Sequence, residues 1–347
     1  MPSSSRPLAR RTALGGLLGG VALGAAGCVQ GESSTGTAPA PSGSATAAAA
    51  GGTVRLDYAF YNPLSLVVRQ QRILEDAGLT VQWEQSLGSN RANEFLRNDN
   101  LDLASTAGSA VLQARANGLA VKTVDVYSQP EWTALVVGPD SDVTDVAGLR
   151  GKRIAATTGT DPYFFLRQAL DEAGLAASDV EILNLQHPDG RAALERGDVD
   201  AWAGLDPNMA ATEVQNGSRL LYRNVAFNTY GVLNAREEFV ESSPELVQQV
   251  VDAYEQARAW ALANPADLVA LYAEQAQLEP RVAELVLGQR TALDIDPVPG
   301  EAQRTVLEGV IPLMAANGDV RSEDEARTAL EGLLEPRFAE QAAGSSS

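Results

Sequence analysis

Cysteine, histidine and lysine are nearly absent from this sequence, and each absence excludes a class of function. Cys28 and His187 are the only residues of their types, and lysine occurs only at positions 122 and 152. One cysteine cannot form a disulfide within the chain, and one histidine leaves no usual zinc-binding spacing. The formal charge is −19, whereas nucleic acid binding requires a basic surface. We therefore expect no metal, no cofactor and no nucleic acid partner.

Long hydrophobic runs are also missing. An apolar stretch at residues 12–26 is too short and too rich in glycine for a good membrane span, and it follows arginines at positions 6, 10 and 11. A basic segment before a short apolar one predicts a signal peptide over residues 1–27. The adjacent arginines at 10 and 11 also fit a twin-arginine signal, and the sequence leaves the two export routes open.

The segment that ends at Cys28, Gly-Ala-Ala-Gly-Cys, is similar to a bacterial lipobox, with Ala25 where leucine is commoner. This similarity implies that Cys28 is lipidated and becomes the N-terminus after cleavage. Residues 28–52 then consist mainly of Ser, Thr, Ala, Gly and Pro, which bury too little apolar surface to fold. We expect this segment to tether an exported domain to a membrane.

From residue 53 onward, strand and helix patterns alternate. Strands are predicted over residues 54–60, 80–85, 101–104, 121–127, 132–137, 152–156, 180–185, 199–204, 220–223 and 230–235. Helices are predicted over residues 63–77, 91–97, 110–116, 163–173, 191–196, 244–263, 266–275, 280–288, 301–317 and 322–333, with a further helix starting near residue 206. The alternation predicts an α/β fold with mostly parallel sheets, in which ligands bind at the carboxyl ends of the strands.

The strand and helix pattern restarts after the predicted strand at residues 132–137, which predicts two lobes. Lobe I comprises residues 53–135 and 229–340, and lobe II comprises residues 136–228. Two crossings of the chain between them would form a hinge, so that the lobes close on a ligand as a clamp. Residues 341–347 are expected to be disordered.

Each lobe contains one turn of small residues before a helix. The first includes Ser105, Thr106 and Ser109, and the second includes Gly159 and Thr160. Hydroxyl groups and backbone N–H groups at two facing helix N-termini could hold an anion without a charged side chain. Such residues also cap helices for purely structural reasons, and both interpretations stand at this point.

Four segments resemble the solute-binding lipoproteins of ABC importers, in the subgroup for aliphatic sulfonates, taurine, nitrate and thiamine-pyrimidine-like ligands. They are Leu-Asp-Leu-Ala-Ser-Thr-Ala-Gly from residue 101, Asp-Val-Ala-Gly-Leu-Arg-Gly-Lys-Arg-Ile-Ala from residue 145, Ala-Leu-Glu-Arg-Gly-Asp-Val-Asp-Ala-Trp from residue 193, and Asp-Pro at 206. The resemblance spans residues 54–334. It implies a type II periplasmic-binding-protein-like fold with two crossover strands as hinge and a helical C-terminal part.

The resemblance implies that an aliphatic sulfonate is bound by the two turns, with other side chains around its organic part. The expected ligand-binding residues are Tyr61, Asn62, Ser105, Thr106, Ser109, Trp132, Gly159, Thr160, Tyr163 and Asp206. Core packing is an equal alternative for the aromatic residues, and helix capping is favoured for Asp206. The loop at residues 58–64, Tyr-Ala-Phe-Tyr-Asn-Pro-Leu, departs from the pattern of sulfonate binders and leaves the ligand open.

The resemblance implies an extracytoplasmic, monomeric, non-catalytic receptor that delivers a small organic anion to a membrane permease. Nitrate or a thiamine-pyrimidine-like compound is the alternative ligand. An enzyme or a sensor on the same fold is the alternative function, although no nucleophile motif of the Gly-x-Ser-x-Gly kind occurs. His187 lies in a loop before a helix and is expected to serve loop structure or an occasional ligand contact.

Overall fold

The computed structural model describes residues 51–345, which form two β-sheets covered by helices. The strands are β1 (Thr53–Tyr58), β2 (Thr80–Gln85), β3 (Leu103–Ala107), β4 (Val121–Pro130), β5 (Thr133–Val137), β6 (Arg153–Ala156), β7 (Glu181–Asn184), β8 (Ala201–Leu205), β9 (Arg219–Tyr222), β10 (Gly231–Arg236) and β11 (Thr291–Ala292). The helices are α1 (Pro63–Gln70), α2 (Ile73–Asp76), α3 (Ser89–Arg97), α4 (Gly108–Ala116), α5 (Asp161–Glu172), α6 (His187–Arg196), α7 (Asn208–Asn216), α8 (Glu237–Ser242), α9 (Pro244–Ala263), α10 (Pro265–Gln275), α11 (Pro280–Leu285), α12 (Glu301–Ala316), α13 (Glu323–Glu331) and α14 (Arg337–Ser345).

Both sheets are mixed, which corrects the expectation of mostly parallel sheets. The sheet of lobe I has the order β11-β4-β10-β3-β1-β2, and that of lobe II has the order β7-β6-β8-β5-β9. In lobe I, β10 lies antiparallel between β3 and β4, and in lobe II β5 lies antiparallel between β8 and β9. The carboxyl ends of the parallel strands face the boundary between the lobes. Because β5 and β10 each begin at this boundary, they run antiparallel to those strands.

The first crossing lies earlier than the sequence pattern indicates. Thr133–Val137 pairs with β8 and β9, so residues 133–135 belong to lobe II and the first crossing consists of residues 131–132. The second crossing consists of residues 223–230, between β9 and β10. The apolar residues of β5 gave no signal of which sheet they join, because that choice depends on pairing with distant strands.

Two predicted helix boundaries are wrong for local reasons. The helix expected over residues 63–77 is interrupted at Arg72, whose φ of 56° is left-handed, and divides into α1 and α2. The helix expected over residues 280–288 ends at Leu285 and continues as a π-helical turn, Val286–Arg290.

The expected disorder after residue 340 is corrected by α14. Phe338, Ala339 and Ala342 are buried in the same apolar cluster as Val247 and Val251 of α9. Their spacing places these side chains on one face of a helix, and Pro336 precedes it, as is usual at a helix start. Residues 346–347 lie outside the described part of the chain, as do Cys28 and the predicted signal peptide.

The lobes are packed against each other. One apolar cluster includes Val111 of α4, Phe164 of α5 and Ile311 of α12, so the helices next to the boundary share a core. A second shared cluster joins Leu66 of α1 to Ala210 of α7. Among residues 51–345, no helix combines the length and apolar character that crossing a bilayer requires.

Candidate functional site

The two predicted turns meet at the boundary between the lobes. Ser109, in the first turn of α4, donates a hydrogen bond of 2.6 Å from its Oγ to Oδ1 of Asp161, the first residue of α5. Both side chains are almost fully buried. The N-termini of one helix from each lobe therefore face each other, as the sequence predicts.

Four donors surround the Asp161 carboxylate, and we call them the four-donor cradle. They are Ser109 Oγ at 2.6 Å, Thr229 Oγ1 at 2.6 Å, Thr229 N at 2.9 Å and Trp132 Nε1 at 2.8 Å. Ser109 belongs to lobe I, whereas Trp132 lies in the first crossing and Thr229 in the second. The cradle thus brings lobe I and both crossings to one carboxylate of lobe II.

The cradle is neutral apart from the Asp161 carboxylate. Burial raises the pKa of Asp161, and the hydrogen bonds from Ser109, Thr229 and Trp132 oppose that rise. In the described residues, no arginine or lysine forms an ion pair with Asp161. Neutral donors and the positive N-terminal ends of α4 and α5 stabilise the negative charge at this place.

Asn62 and Ser105 form their hydrogen bonds within lobe I. Asn62 caps α1 by accepting from Ser65 N, and its Nδ2 donates to Ser105 Oγ at 2.7 Å. Ser105 N and Oγ both donate to Asp57 Oδ1, at 2.8 and 3.0 Å. Burial raises the pKa of Asp57 to about 7, and its Oδ2 has no hydrogen-bond partner.

Ser105 and Thr106 do not lie in a turn, which corrects the prediction. Both are in β3, which extends to Ala107 because Ala107 pairs with Gly231 of β10. Thr106 Oγ1 donates to the Ala107 carbonyl at 3.0 Å and accepts from Asn234 Nδ2 at 2.8 Å. These bonds engage its hydroxyl within lobe I, and α4 accordingly begins at residue 108 rather than 110.

The structure brings two of the predicted aromatic residues together. Tyr61 and Trp132 make an edge-to-face contact with ring centroids 6.0 Å apart, and Tyr61 Oη donates to the Ser105 carbonyl. Tyr163 lies elsewhere at the boundary, because its Oη donates to Asp319 Oδ1 at 3.2 Å, in the loop between α12 and α13. Tyr163 thus contacts lobe I outside the cradle.

Gly159 and Thr160 shape the second turn. Gly159 has a φ of 76°, which glycine adopts readily, and the Thr160 hydroxyl donates to the Thr157 carbonyl at 2.6 Å. A pocket of about 300 Å³ opens between α3, α4 and Gly159, at the edge of the lobe boundary. Asn90 and Asn93 line it, and the Oδ1 atoms of both lack hydrogen-bond partners.

His187 also reaches the boundary. Thr157 Oγ1 donates to the Leu185 carbonyl at 2.7 Å, so it accepts from Nδ1 of His187 at 3.2 Å and fixes the Nδ1–H tautomer. The other ring nitrogen, Nε2, has no partner and would lie 3.1 Å from a Cβ built on Gly88 of lobe I. Burial lowers the pKa of His187 to about 3, so the ring is neutral.

Asp206 has a structural role in this geometry. Its Oδ1 accepts from Ala210 N at 2.9 Å in the first turn of α7, which agrees with the favoured capping interpretation. The same carboxylate pairs with Arg290 Nη1 at 3.2 Å, and Arg290 Nη2 contacts Glu213 at 2.5 Å. Arg290 directly precedes β11 of lobe I, so this buried ion pair is a second connection between the lobes.

Sequence reasoning missed Asp161, Thr229, Asp57 and Arg290. Asp161 stands before a proline at a helix start, which is the usual signature of a cap, and no local signal shows that its side chain crosses to the other lobe. Thr229 lies in a connection without periodicity. In residues 51–345, no group of three or more His, Cys, Asp or Glu side chains is arranged to hold a metal ion.

Comparison with known proteins decides the family. The profile described as NMT1/THI5 like matches residues 40–268, about two thirds of the chain. The chain belongs to the NMT1/THI5-like family. An aliphatic sulfonates-binding protein of Bacillus subtilis (strain 168) is 30% identical over 229 residues, which cover 64% of this chain and 69% of that protein.

Solved structures of similar fold agree with this family. The alkanesulfonate-binding protein SsuA from Xanthomonas axonopodis pv. citri, bound to MOPS, superposes with a TM-score of 0.73 at 25% identity over 80% of this chain and 97% of that one. The desulfurization enzyme DSZB has a TM-score of 0.65 at 16% identity over 85% of this chain and 100% of that one, which shows a shared fold alone. The expected two-lobed α/β fold is confirmed, and the substrate-binding role is supported.

Proposed function

We propose that this chain is the extracytoplasmic solute-binding component of an ABC importer and that its ligand is an aliphatic sulfonate. The observation that carries the proposal is the four-donor cradle, an anion site of neutral donors at the boundary between two lobes. The named relatives that bind sulfonates support the choice of ligand.

The chemistry of a sulfonate suits such a cradle. A sulfonate has three acceptor oxygens and stays ionised at ordinary pH, so it requires donors rather than a proton partner. Ser109, Thr229 and Trp132 supply four N–H or O–H donors, and the N-terminus of α4 adds a positive dipole end. When the lobes separate, Asp161 leaves with α5 and these donors become available.

The organic part of the ligand would lie along the lobe boundary. Tyr61 and Trp132 offer apolar ring surface beside the cradle, and the pocket next to Gly159 offers about 300 Å³. That volume is at the small end of ligand pockets, which favours a small ligand over a large ring system.

A thermal-shift series on the purified full-length chain tests the ligand. Methanesulfonate, taurine and MOPS should raise the melting temperature, since a ligand at one hundred times its Kd stabilises the folded form by about 2.7 kcal/mol. Ser109→Ala should weaken methanesulfonate binding by roughly 10-fold or more, because a hydrogen bond to a charged group is lost. Ser322→Ala, at the N-cap of α13 and not among the cradle residues, is the matched control and should bind as the wild type does.

The same series covers the alternative ligands. Nitrate and a 4-aminopyrimidine are included at equal ionic strength. A shift with either of these and none with any sulfonate would replace the sulfonate in the proposal while leaving the receptor role intact. Growth of a deletion strain with alkanesulfonates as the sole sulfur source then distinguishes a transport receptor from a sensor.

An enzyme on this fold is the second candidate, favoured only by the likeness to the desulfurization enzyme. Residues 51–345 contain no cysteine, and His187 is buried in its neutral form. We propose that the chain has no catalytic activity, so incubation with an alkanesulfonate or an arylsulfinate should release no sulfite. Turnover of either compound would instead establish an enzyme.

We propose that Cys28 carries a lipid anchor and that the domain acts as a monomer outside the cytoplasm beside its permease. The lipobox-like segment and the Ser, Thr, Ala, Gly and Pro-rich residues 28–52 support the anchor. Mass spectrometry of the N-terminal peptide should find a diacylglycerol on Cys28, and Cys28→Ala should release the protein from the membrane fraction. Light scattering on that variant measures the oligomeric state.

A further inference from the structure

Asp161 ties lobe II to three other segments at once. Its Oδ1 accepts from Ser109 of lobe I and from the Thr229 hydroxyl, and its Oδ2 accepts from Trp132 and from the Thr229 backbone. Only 1% of the residue is exposed. The closed arrangement of the lobes in residues 51–345 therefore includes an anion at the cradle that belongs to the chain itself.

The Asp161 carboxylate has no remaining capacity for a ligand. Two carboxylate oxygens offer about four acceptor positions, and four donors at 2.6–2.9 Å fill them. An ammonium group on a ligand would find no free lone pair here. Asp161 in the closed form is thus an occupant of the cradle rather than a receptor for a cation.

A carboxylate and a sulfonate require the same donors. Each carries one negative charge on oxygen acceptors, and each is stabilised by N–H and O–H groups at a helix N-terminus. Both cannot lie in the four-donor cradle together, because like charges at hydrogen-bonding distance repel and the donors are already used. Binding of an anion there requires that Asp161 move out.

We propose that Asp161 is an intramolecular competitor of the ligand: its carboxylate holds the two lobes together at the four-donor cradle, and an anionic ligand displaces it from there. This inference rests on the proposed function for the ligand's access to the cradle, but the closure by Asp161 is independent of which ligand binds. Asp161 then sets the affinity, because a ligand meets free donors only in the fraction of molecules in which the carboxylate has left.

The first experiment compares Asp161→Ala with the wild type and with Asp189→Ala in the full-length chain. Asp189 is exposed in the first turn of α6, so its removal takes away the same charge at a comparable helix position without touching the cradle. Sodium acetate and sodium methanesulfonate are titrated against sodium chloride at equal ionic strength. We expect Asp161→Ala to melt at a lower temperature without ligand and to bind both anions at least tenfold more tightly than the wild type and Asp189→Ala.

The second experiment measures closure without any ligand. Small-angle X-ray scattering should give the unliganded wild type a smaller radius of gyration than Asp161→Ala, and acetate should restore compactness in the variant. Asp161→Asn provides the same comparison with a residue of equal size. The amide NH2 group of Asn cannot accept hydrogen bonds from the cradle donors, so this variant should also be less compact than the wild type.

Two results would overturn the inference. One is an unliganded wild type as open as the variants. The other is an Asp161→Ala protein that binds acetate and methanesulfonate within twofold of the wild type. If Asp161→Ala is more open than the wild type and acetate restores its compactness, but no alkanesulfonate binds to any form, the competitor role stands and the sulfonate receptor proposal fails.

Discussion

Among single residues, His187 shows how hydrogen-bond direction fixes a chemical state. The Thr157 hydroxyl proton is used by the Leu185 carbonyl, so the imidazole must donate from Nδ1 and keep a lone pair on Nε2. That lone pair faces Gly88, where a side chain would collide with it. Burial keeps the ring neutral, and Nε2 has no hydrogen-bond partner at the boundary between the lobes.

Lowering the pH should therefore reduce the stability of the fold through His187. Burial lowers its pKa from 6.5 to about 3, so between these values the unfolded chain binds a proton that the folded chain does not. Stability is lost as pH falls through this window, by up to about 1.4 kcal/mol per pH unit. His187→Asn keeps a donor towards Thr157 but cannot titrate, and its urea-unfolding free energy should fall less steeply between pH 6.5 and 4.

The comparison isolates His187 from groups that act in the opposite direction. Burial raises the pKa of Asp57 and of Asp206 to about 7, so their contributions to stability decrease as pH rises from about 4 to 7. Both are present in the wild type and in the variant, and their effects cancel in the difference. Parallel pH profiles for the two proteins would contradict the lowered pKa of His187.

At the scale of secondary structure, two glycines should respond to alanine in opposite directions. Gly309 lies inside α12, exposed and with nothing within 4 Å of a Cβ, so Gly309→Ala should stabilise the helix by about 0.5–1 kcal/mol. Gly231 begins β10, where a Cβ would lie 2.4 Å from the Tyr127 ring, so Gly231→Ala should cost roughly 1–3 kcal/mol. Urea unfolding of both variants measures this, and a change of the same sign in both would refute it.

Local patterns predicted many elements of the chain but not the extent of β3. The bounds of β2 and α9 agree with the prediction to the residue, because each has a clear period and a clear stop. Ser105 and Thr106 have the composition of a turn, and they become strand residues only because β10 pairs with them. That partner lies more than 120 positions away in the sequence, where no local signal reaches.

The candidate site was predicted in outline by the same reasoning. Small residues before α4 and α5 indicated that two helix starts face each other, and Ser109 does lie opposite α5. The sequence could not show that Asp161 fills the space between them, since the direction of a side chain across two lobes depends on how the lobes pack. Trp132 was predicted as a ligand contact and lies in the cradle, and its role towards a ligand stays a prediction.

For the whole molecule, a buried ion pair connects the two lobes. Arg290 is 5% exposed and pairs with Asp206, which is 3% exposed, across the boundary. Arg290→Met would leave a buried carboxylate without its cation, so it should cost about 3–5 kcal/mol. Urea unfolding measures the loss.

An ion pair with a solvent-exposed arginine provides the control. Arg223 is 51% exposed and contacts Glu131 at 2.6 Å, near the same boundary. Arg223→Met should cost less than about 1 kcal/mol, because solvent screens the pair. Equal losses of unfolding free energy in the two variants would show that burial of the Arg290–Asp206 pair adds nothing to stability.

The position of β10 affects the order in which the two lobes can complete their sheets during synthesis. Residues 133–222 supply every strand of lobe II in one continuous stretch, whereas β3 and β4 remain separated by a gap until residues 231–236 have been synthesised. Ala107 must then find Gly231, 124 positions later, and pairing over such a distance is slow. We therefore expect the sheet of lobe I to be completed after that of lobe II.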